Sequence, residues 1–221
     1  MDNNKIFSYV DHTLLKATAS WEDIQKLCDE AIKYKTASVC VPPCYVDVIN
    51  QTYGSRLVIG TVIGFPLGYS PRSVKEAEMA GSLLDGASEF DTVINLCNVK
   101  NGAFDTVTAE IKSLKKLAGH KILKVIVETC YLTEEEKIRL CSCVTEGGAD
   151  FIKTSTGFGS AGALMADIEL FKAHIGPDVQ IKAAGGIRSR EDMIAFIEAG
   201  CTRLGTSSAI SLLTVGEMAG Y

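Results

Sequence analysis

Short apolar runs rich in β-branched residues alternate with stretches of helical period along the whole chain, and no Pro/Ser-rich linker interrupts them. The runs predict strands at residues 8–11, 37–41, 57–63, 89–95, 122–128, 151–154, 180–184 and 202–205. Between them, amphipathic patterns predict helices over 21–34, 73–85, 104–117, 134–147, 165–174 and 190–199. Ser20-Trp21-Glu22-Asp23 and Thr133-Glu134-Glu135-Glu136 each set a hydroxyl three residues before an acid, the spacing of a capping box. Gly86, Gly147-Gly148 and Gly200 follow helices and precede strands, where a C-terminal cap favours glycine. Eight strands alternating with helices predict a single-domain (β/α)8 TIM barrel over residues 1–221, ahead of an open doubly wound sheet. Catalysis in such a barrel sits at the C-terminal ends of the strands, which makes polar residues there candidates for chemistry.

Two lysines break the apolar pattern. Lys153 lies in Phe151-Ile152-Lys153-Thr154-Ser155-Thr156-Gly157, and Lys182 in Val179-Gln180-Ile181-Lys182-Ala183-Ala184-Gly185-Gly186. Lysine is rarely fully buried and an unpaired buried ammonium is costly, so two in consecutive core strands ask for a reason beyond packing. A lysine in an apolar pocket beside a second cation has its charged form disfavoured, which leaves a neutral amine able to attack a carbonyl near neutral pH. The pair therefore predicts Schiff-base chemistry. The competing reading, strand-end lysines snorkelling into solvent, does not account for the pairing.

In Phe90-Asp91-Thr92-Val93-Ile94-Asn95 side chains alternate faces, so Asp91, Val93 and Asn95 are expected on one face. Asp91 is then a candidate lumen acid, with a solvent-facing aspartate at the strand start as the alternative. A buried carboxylate needs a cationic partner and imine formation needs a proton shuttle; Asp91 with Lys182 supplies both. Asp11 and Lys124 extend this into a supporting charge network, for which a structural ion pair is an equal alternative. Cys40 and Thr156, at or beside strand ends, complete the supporting set.

Gly185-Gly186 and Gly205-Thr206-Ser207-Ser208 are glycine-and-hydroxyl loops that each lead into a helix. Oriented N–H groups at a helix start suit a phosphate, and the loops after the last two barrel strands are a frequent phosphate site. Gly157, Gly185, Gly186, Arg188, Gly205, Ser207 and Ser208 are accordingly assigned to a substrate phosphate, against ordinary turns and a solvated arginine.

Composition narrows the choices further. At 221 residues, 47% hydrophobic and 22% charged, the chain suits one barrel with a full core. A net charge of -5 without long like-charge runs shows neither a nucleic-acid footprint nor a polybasic membrane patch, so a small-molecule substrate is expected. No charged-then-apolar leader opens the sequence and no apolar stretch approaches the roughly 18 residues of a membrane span, which predicts a cytoplasmic protein. Cys28, Cys40, Cys44, Cys97, Cys130, Cys141, Cys143 and Cys201 lack Cys-x-x-Cys spacing and are expected to pack the core in a reducing compartment. His12, His120 and His174 are scattered, which supports neither a metal site nor a Ser-His-Asp triad. No metal and no cofactor are expected; a homo-oligomer, a dimer by barrel habit, is.

From Asp11 to Ser211 the chain resembles the deoxyribose-phosphate aldolase family in its shorter bacterial type. The resemblance rests on Asp11-His12-Thr13-Leu14-Leu15-Lys16, Ala37-Ser38-Val39-Cys40-Val41-Pro42, Ile63-Gly64-Phe65-Pro66-Leu67-Gly68, Phe90 to Asn95, Leu123-Lys124-Val125-Ile126-Val127-Glu128-Thr129, Lys153 to Phe158, and Lys182 to Arg188. It implies a metal-free barrel aldolase in which Lys153 forms the imine, Lys182 perturbs it and relays protons, and Asp91 donates or accepts the proton. The implied reaction is reversible cleavage of 2-deoxy-D-ribose 5-phosphate between C2 and C3, giving acetaldehyde and D-glyceraldehyde 3-phosphate. Ala17 stands where proline is common, Tyr69-Ser70-Pro71-Arg72 replaces a more polar stretch, and Gly159-Ser160-Ala161 varies its loop; these departures are expected to act on substrate fit or rate. Some members of the family place a terminal tyrosine near the active site, although for Tyr221 a frayed tail is the favoured reading. Two alternatives stay open: another imine-forming barrel aldolase of the transaldolase kind, and a catalytically silent phosphate-binding barrel.

Overall fold

The computed structural model describes residues 1–214, so Tyr221 lies outside the described residues. The first half of the described chain runs α1 (Asn3–Phe7), β1 (Val10–Thr13), α2 (Trp21–Tyr34), β2 (Ser38–Val41), α3 (Val46–Tyr53), β3 (Ile59–Ile63), α4 (Arg72–Leu84), β4 (Glu89–Val93), α5 (Leu96–Lys100) and α6 (Phe104–Ala118). It continues with β5 (Ile122–Ile126), α7 (Glu134–Gly147), β6 (Phe151–Lys153), α8 (Met165–His174), β7 (Gln180–Ala184), α9 (Arg190–Ala199), β8 (Arg203–Thr206) and α10 (Ala209–Thr214). Each strand pairs in parallel with the next, and β8 returns to β1 to close the barrel, with Asp11 in register with Gly205.

The expected helices 21–34, 134–147, 165–174 and 190–199 appear with those bounds. Ser20 with Asp23 and Thr133 with Glu136 form the two expected capping boxes. Ser189 with Asp192 forms a third, at the start of α9. Each hydroxyl cap stabilises its helix by about 1 kcal/mol. Gly148 and Gly200 end α7 and α9 in the left-handed conformation, whereas α2 ends on Lys35 at φ 54°, a role expected of glycine.

Several boundaries differ from expectation for local reasons. β1 starts at Val10 because Ser8 closes α1, its hydroxyl donating to the Lys5 carbonyl. β4 stops at Val93 because Asn95 turns out to cap α5, accepting from the N–H groups of Cys97 and Asn98. Asn95 therefore does not share the lumen with Asp91. β5 stops at Ile126, two residues before Glu128, which turns the backbone left-handed at φ 55°. β8 runs on to Thr206, so Gly205 and Thr206 are ladder residues and the final loop begins at Ser207.

Two apolar layers result from the alternation of side chains. Outward strand residues such as Val39, Phe90, Val125 and Ile152 join Ile24, Met79, Leu114, Leu140 and Phe171 of the helices in one continuous buried core. The inward face carries fewer apolar groups, among them Val62, Val93, Ile126 and Phe151, and these surround a column of buried charge.

Candidate active site

Lys153 and Lys182 stand in register on adjacent strands, with side chains 3% and 0% exposed. Asp91 from β4 lies between them. Its Oδ2 accepts from Lys153 Nζ at 2.7 Å and from Lys182 Nζ at 2.6 Å, so one carboxylate oxygen links both amines. Its Oδ1 accepts from Lys124 Nζ at 3.0 Å. Asp11 pairs with Lys182, lies 3.3 Å from Lys124 Nζ, and accepts from the Ser38 hydroxyl at 2.7 Å. Glu89 and Arg203, which the sequence reading did not select, complete the cluster: Glu89 sits 2.6 Å from Lys124, and Arg203 spans Asp11 at 2.6 Å and Glu89 at 2.8 Å.

Three carboxylates thus face four cationic side chains, and the cluster is neutral only when one cation gives up its proton. Lys153 is the group placed to do so. Burial lowers its pKa against the opposing pull of Asp91, its one carboxylate partner among the described residues, and the charge of Lys182 lowers it further. For Lys182 burial acts in the same direction, but Asp11 and Asp91 outweigh it and the amine stays above its ordinary range. Lys124 is likewise held charged, because Asp11, Asp91 and Glu89 outweigh its burial. Burial would raise the Asp91 carboxyl, yet the three lysines hold it well below the usual range. Lys153 is thus the amine most disposed to lose its proton, and it stands beside an ammonium and a carboxylate, the set that imine formation and proton transfer require.

Cys40 is buried, with its thiol pushed up to about 11 by burial and then by Asp91, so it is a neutral neighbour of the lysines. Thr156 is positioned by Glu128, whose carboxylate accepts from the Thr156 N–H at 3.1 Å and from its hydroxyl. The left-handed backbone at Glu128 costs on the order of 1 kcal/mol and aims this carboxylate at the segment following Lys153.

Above the cluster lies a pocket of about 360 Å³ lined by Lys153, Thr156 and every residue assigned to phosphate: Gly157, Gly185, Gly186, Arg188, Gly205, Ser207 and Ser208. Lys16 lines it as well, an exposed cation in the quoted Asp11–Lys16 segment that was given no role. A larger groove, between α2 and α10, contains none of the lysine–carboxylate cluster. The pocket residues differ in what they offer an anion. Asp192 already accepts from the N–H groups of Arg188 and Ser189, which occupies the start of α9, and the Ser208 N–H donates to the Thr206 hydroxyl. The N–H groups of Gly186 and Ser207 have no acceptor among the described residues. A Cβ on Gly205 would stand 3.0 Å from Lys182 Cε, so this glycine makes room for the lysine. Gly162 packs so closely under Gly185 that a Cβ would fall 2.3 Å from the Gly185 carbonyl, which locks the β6 loop to the β7 loop.

Five of the eight cysteines are buried, as expected of packing residues, whereas Cys44 and Cys97 are exposed and Cys130 is half-buried; all eight are free thiols. Among the described residues no group of three His, Cys, Asp or Glu side chains is arranged to hold a metal ion, and no helix is long and apolar enough to cross a membrane.

Known proteins share the sequence and the fold of this chain. The chain is 60% identical, over all 221 residues of both proteins, to a deoxyribose-phosphate aldolase of Clostridium botulinum (strain Alaska E43 / Type E3). A crystal structure of a putative deoxyribose-phosphate aldolase from Coccidioides immitis superposes with a TM-score of 0.94 at 35% identity, covering 98% of this chain and 87% of that one. A deoxyribose phosphate aldolase from Aeropyrum pernix, described as tetrameric, superposes with a TM-score of 0.91 at 31% identity, covering 99% and 93%. Residues 5–215 match the family described as DeoC/LacD family aldolase. With its closed barrel and paired lumen lysines, the chain belongs to the DeoC/LacD family of aldolases.

Proposed function

We propose that this protein is a class I aldolase that reversibly cleaves 2-deoxy-D-ribose 5-phosphate to acetaldehyde and D-glyceraldehyde 3-phosphate, with Lys153 as the imine-forming residue. The observation that carries the reading is Asp91 Oδ2 touching both amines, 2.7 Å from Lys153 and 2.6 Å from Lys182. The neutral Lys153 amine adds to the C1 aldehyde, and the carbinolamine loses water to give a protonated imine. Removal of the proton from the C3 hydroxyl then breaks the C2–C3 bond, its electron pair moving towards the imine to leave an enamine and glyceraldehyde 3-phosphate. Protonation at C2 and hydrolysis of the imine release acetaldehyde and restore the amine. Asp91 and Lys182 exchange the protons of these steps, because they form the hydrogen-bonded pair in contact with Lys153. No step calls on a metal. Cleavage measured by a coupled assay for glyceraldehyde 3-phosphate should therefore persist in excess chelator; activity lost to chelator and restored by zinc would overturn the reading.

The substrate phosphate belongs at the Gly186 and Ser207 N–H groups, with Lys16 and Arg188 on the pocket walls. Charge-assisted hydrogen bonds to a dianion are the strong kind, and the unused donors are the ones available to make them. Replacing Ser207 with aspartate should raise KM for the phosphorylated sugar at least about tenfold, one repelled charge being worth about 1.4 kcal/mol or more at this range. KM for acetaldehyde in the reverse direction should change little. Equal losses for both substrates would place the phosphate elsewhere.

A further inference from the structure

Arg203 does not line the substrate pocket. It stands at the first position of β8, and its guanidinium reaches across the lumen to β4, donating to Glu89 at 2.8 and 3.2 Å and to Asp11 at 2.6 Å. Glu89 lies one inward position below Asp91 on the same strand and holds Lys124 at 2.6 Å. Burying such a pair merely to fasten two strands is a poor use of charge, since well-packed apolar residues do so at least as well. Its effect on the charge count is specific. Asp11, Glu89 and Asp91 are matched one for one by Lys124, Lys182 and Arg203, which leaves Lys153 as the fourth cation with no carboxylate of its own.

We propose that Arg203 and Glu89 are positioning residues for the aldolase reaction: they carry the last cation and the last carboxylate of the cluster and hold its charge count at the value where Lys153 is a free amine. The proposal rests on Lys153 being the imine-forming residue. The ionisable groups around Lys153 are Asp91 from β4, Lys182 from β7, Lys124 from β5 and the Cys40 thiol from β2. Asp11, Glu89 and Arg203 stand behind them, and Lys16 and Arg188 lie at the pocket mouth.

The signs follow from the count. Arg203→Met leaves the cluster one negative charge in excess, which a protonated Lys153 would cancel, so the lysine holds its proton to higher pH. Glu89→Gln leaves one positive charge in excess, so the lysine loses its proton at lower pH. Together the two changes restore the count.

The experiment is the pH dependence of kcat/KM for 2-deoxyribose 5-phosphate, with borohydride trapping of acetaldehyde measured over the same pH range. In Arg203→Met the acidic limb should move up and in Glu89→Gln down, each by roughly one unit, the order expected for one charge lost from behind the groups in contact with Lys153 at an effective dielectric of about 20. The double variant should return close to wild type, and Arg203→Lys should keep the limb in place. Unmoved limbs with a lowered melting temperature, or limbs moving in the same direction, would reduce the pair to a structural brace and overturn the proposal. If Arg203→Met does not fold, Glu89→Gln decides alone by the direction of its shift. A wild-type protein that traps no acetaldehyde at any pH would overturn the aldolase reading itself, an outcome distinct from wild-type trapping with unmoved variants.

Discussion

Lys153→Met abolishes cleavage of 2-deoxyribose 5-phosphate, a loss of at least about four decades in kcat, and removes the adduct that borohydride traps from acetaldehyde; both outcomes are expected from the geometry. No other lumen amine can take over. Lys182 and Lys124 are each held charged by two or more carboxylates, and an ammonium has no electron pair with which to attack. Mass spectrometry of the trapped wild-type protein should find the reduced adduct on Lys153. An adduct on Lys182 would reverse the assignment of nucleophile and proton relay.

Lys182→Met should cut turnover by several decades and also move the pH profile. Lys182 is the cation that most disfavours protonation of Lys153, so its removal raises the Lys153 pKa. The free amine then appears only at higher pH, and the acidic limb of kcat/KM shifts upward. Turnover falls for a second reason: Asp91 loses its hydrogen-bonded relay partner and keeps only Lys124 and Lys153. Removing a proton-transfer group costs roughly two to four decades by itself. Unchanged turnover and an unchanged profile would show that the paired lysines do not act together.

The lysine pair was legible in the sequence because consecutive strands of an alternating barrel are neighbours, so two lysines one strand-helix unit apart had to meet. Asp91 was legible for a related reason, since a lumen carboxylate is the natural match for lumen lysines. Glu89 and Arg203 were not. Each stands at the first residue of its strand, where a charge reads as solvent-facing, and β4 and β8 lie on opposite sides of the ring, so only closure brings them together. The helices with capping boxes, α2, α7 and α9, were legible to the residue, whereas the short α1, α3 and α5 were missed: α3, for one, has eight residues, begins soon after Pro42-Pro43, and buries only Val46, Ile49 and Tyr53. That the glycine-and-hydroxyl loops line one pocket was legible, but which of their N–H groups are free was not, because that depends on where the Asp192 carboxylate and the Thr206 hydroxyl turn.

The charges of the lumen are also sorted along the chain. All three carboxylates, Asp11, Glu89 and Asp91, come from β1 and β4, while all four cations, Lys124, Lys153, Lys182 and Arg203, come from β5 to β8. A half-barrel of either kind encloses charge of a single sign, desolvated and unmatched, at several kcal/mol per ion. Two copies of the same half cannot close around such a centre, whereas each half cancels the other. The ring therefore cannot be rebuilt by duplicating one of its halves. Closure also decides which amine is the nucleophile: in the isolated β5–β8 half four crowded cations all favour loss of a proton, and only the carboxylates of the opposite half hold Lys124, Lys182 and Arg203 charged and leave the loss to Lys153.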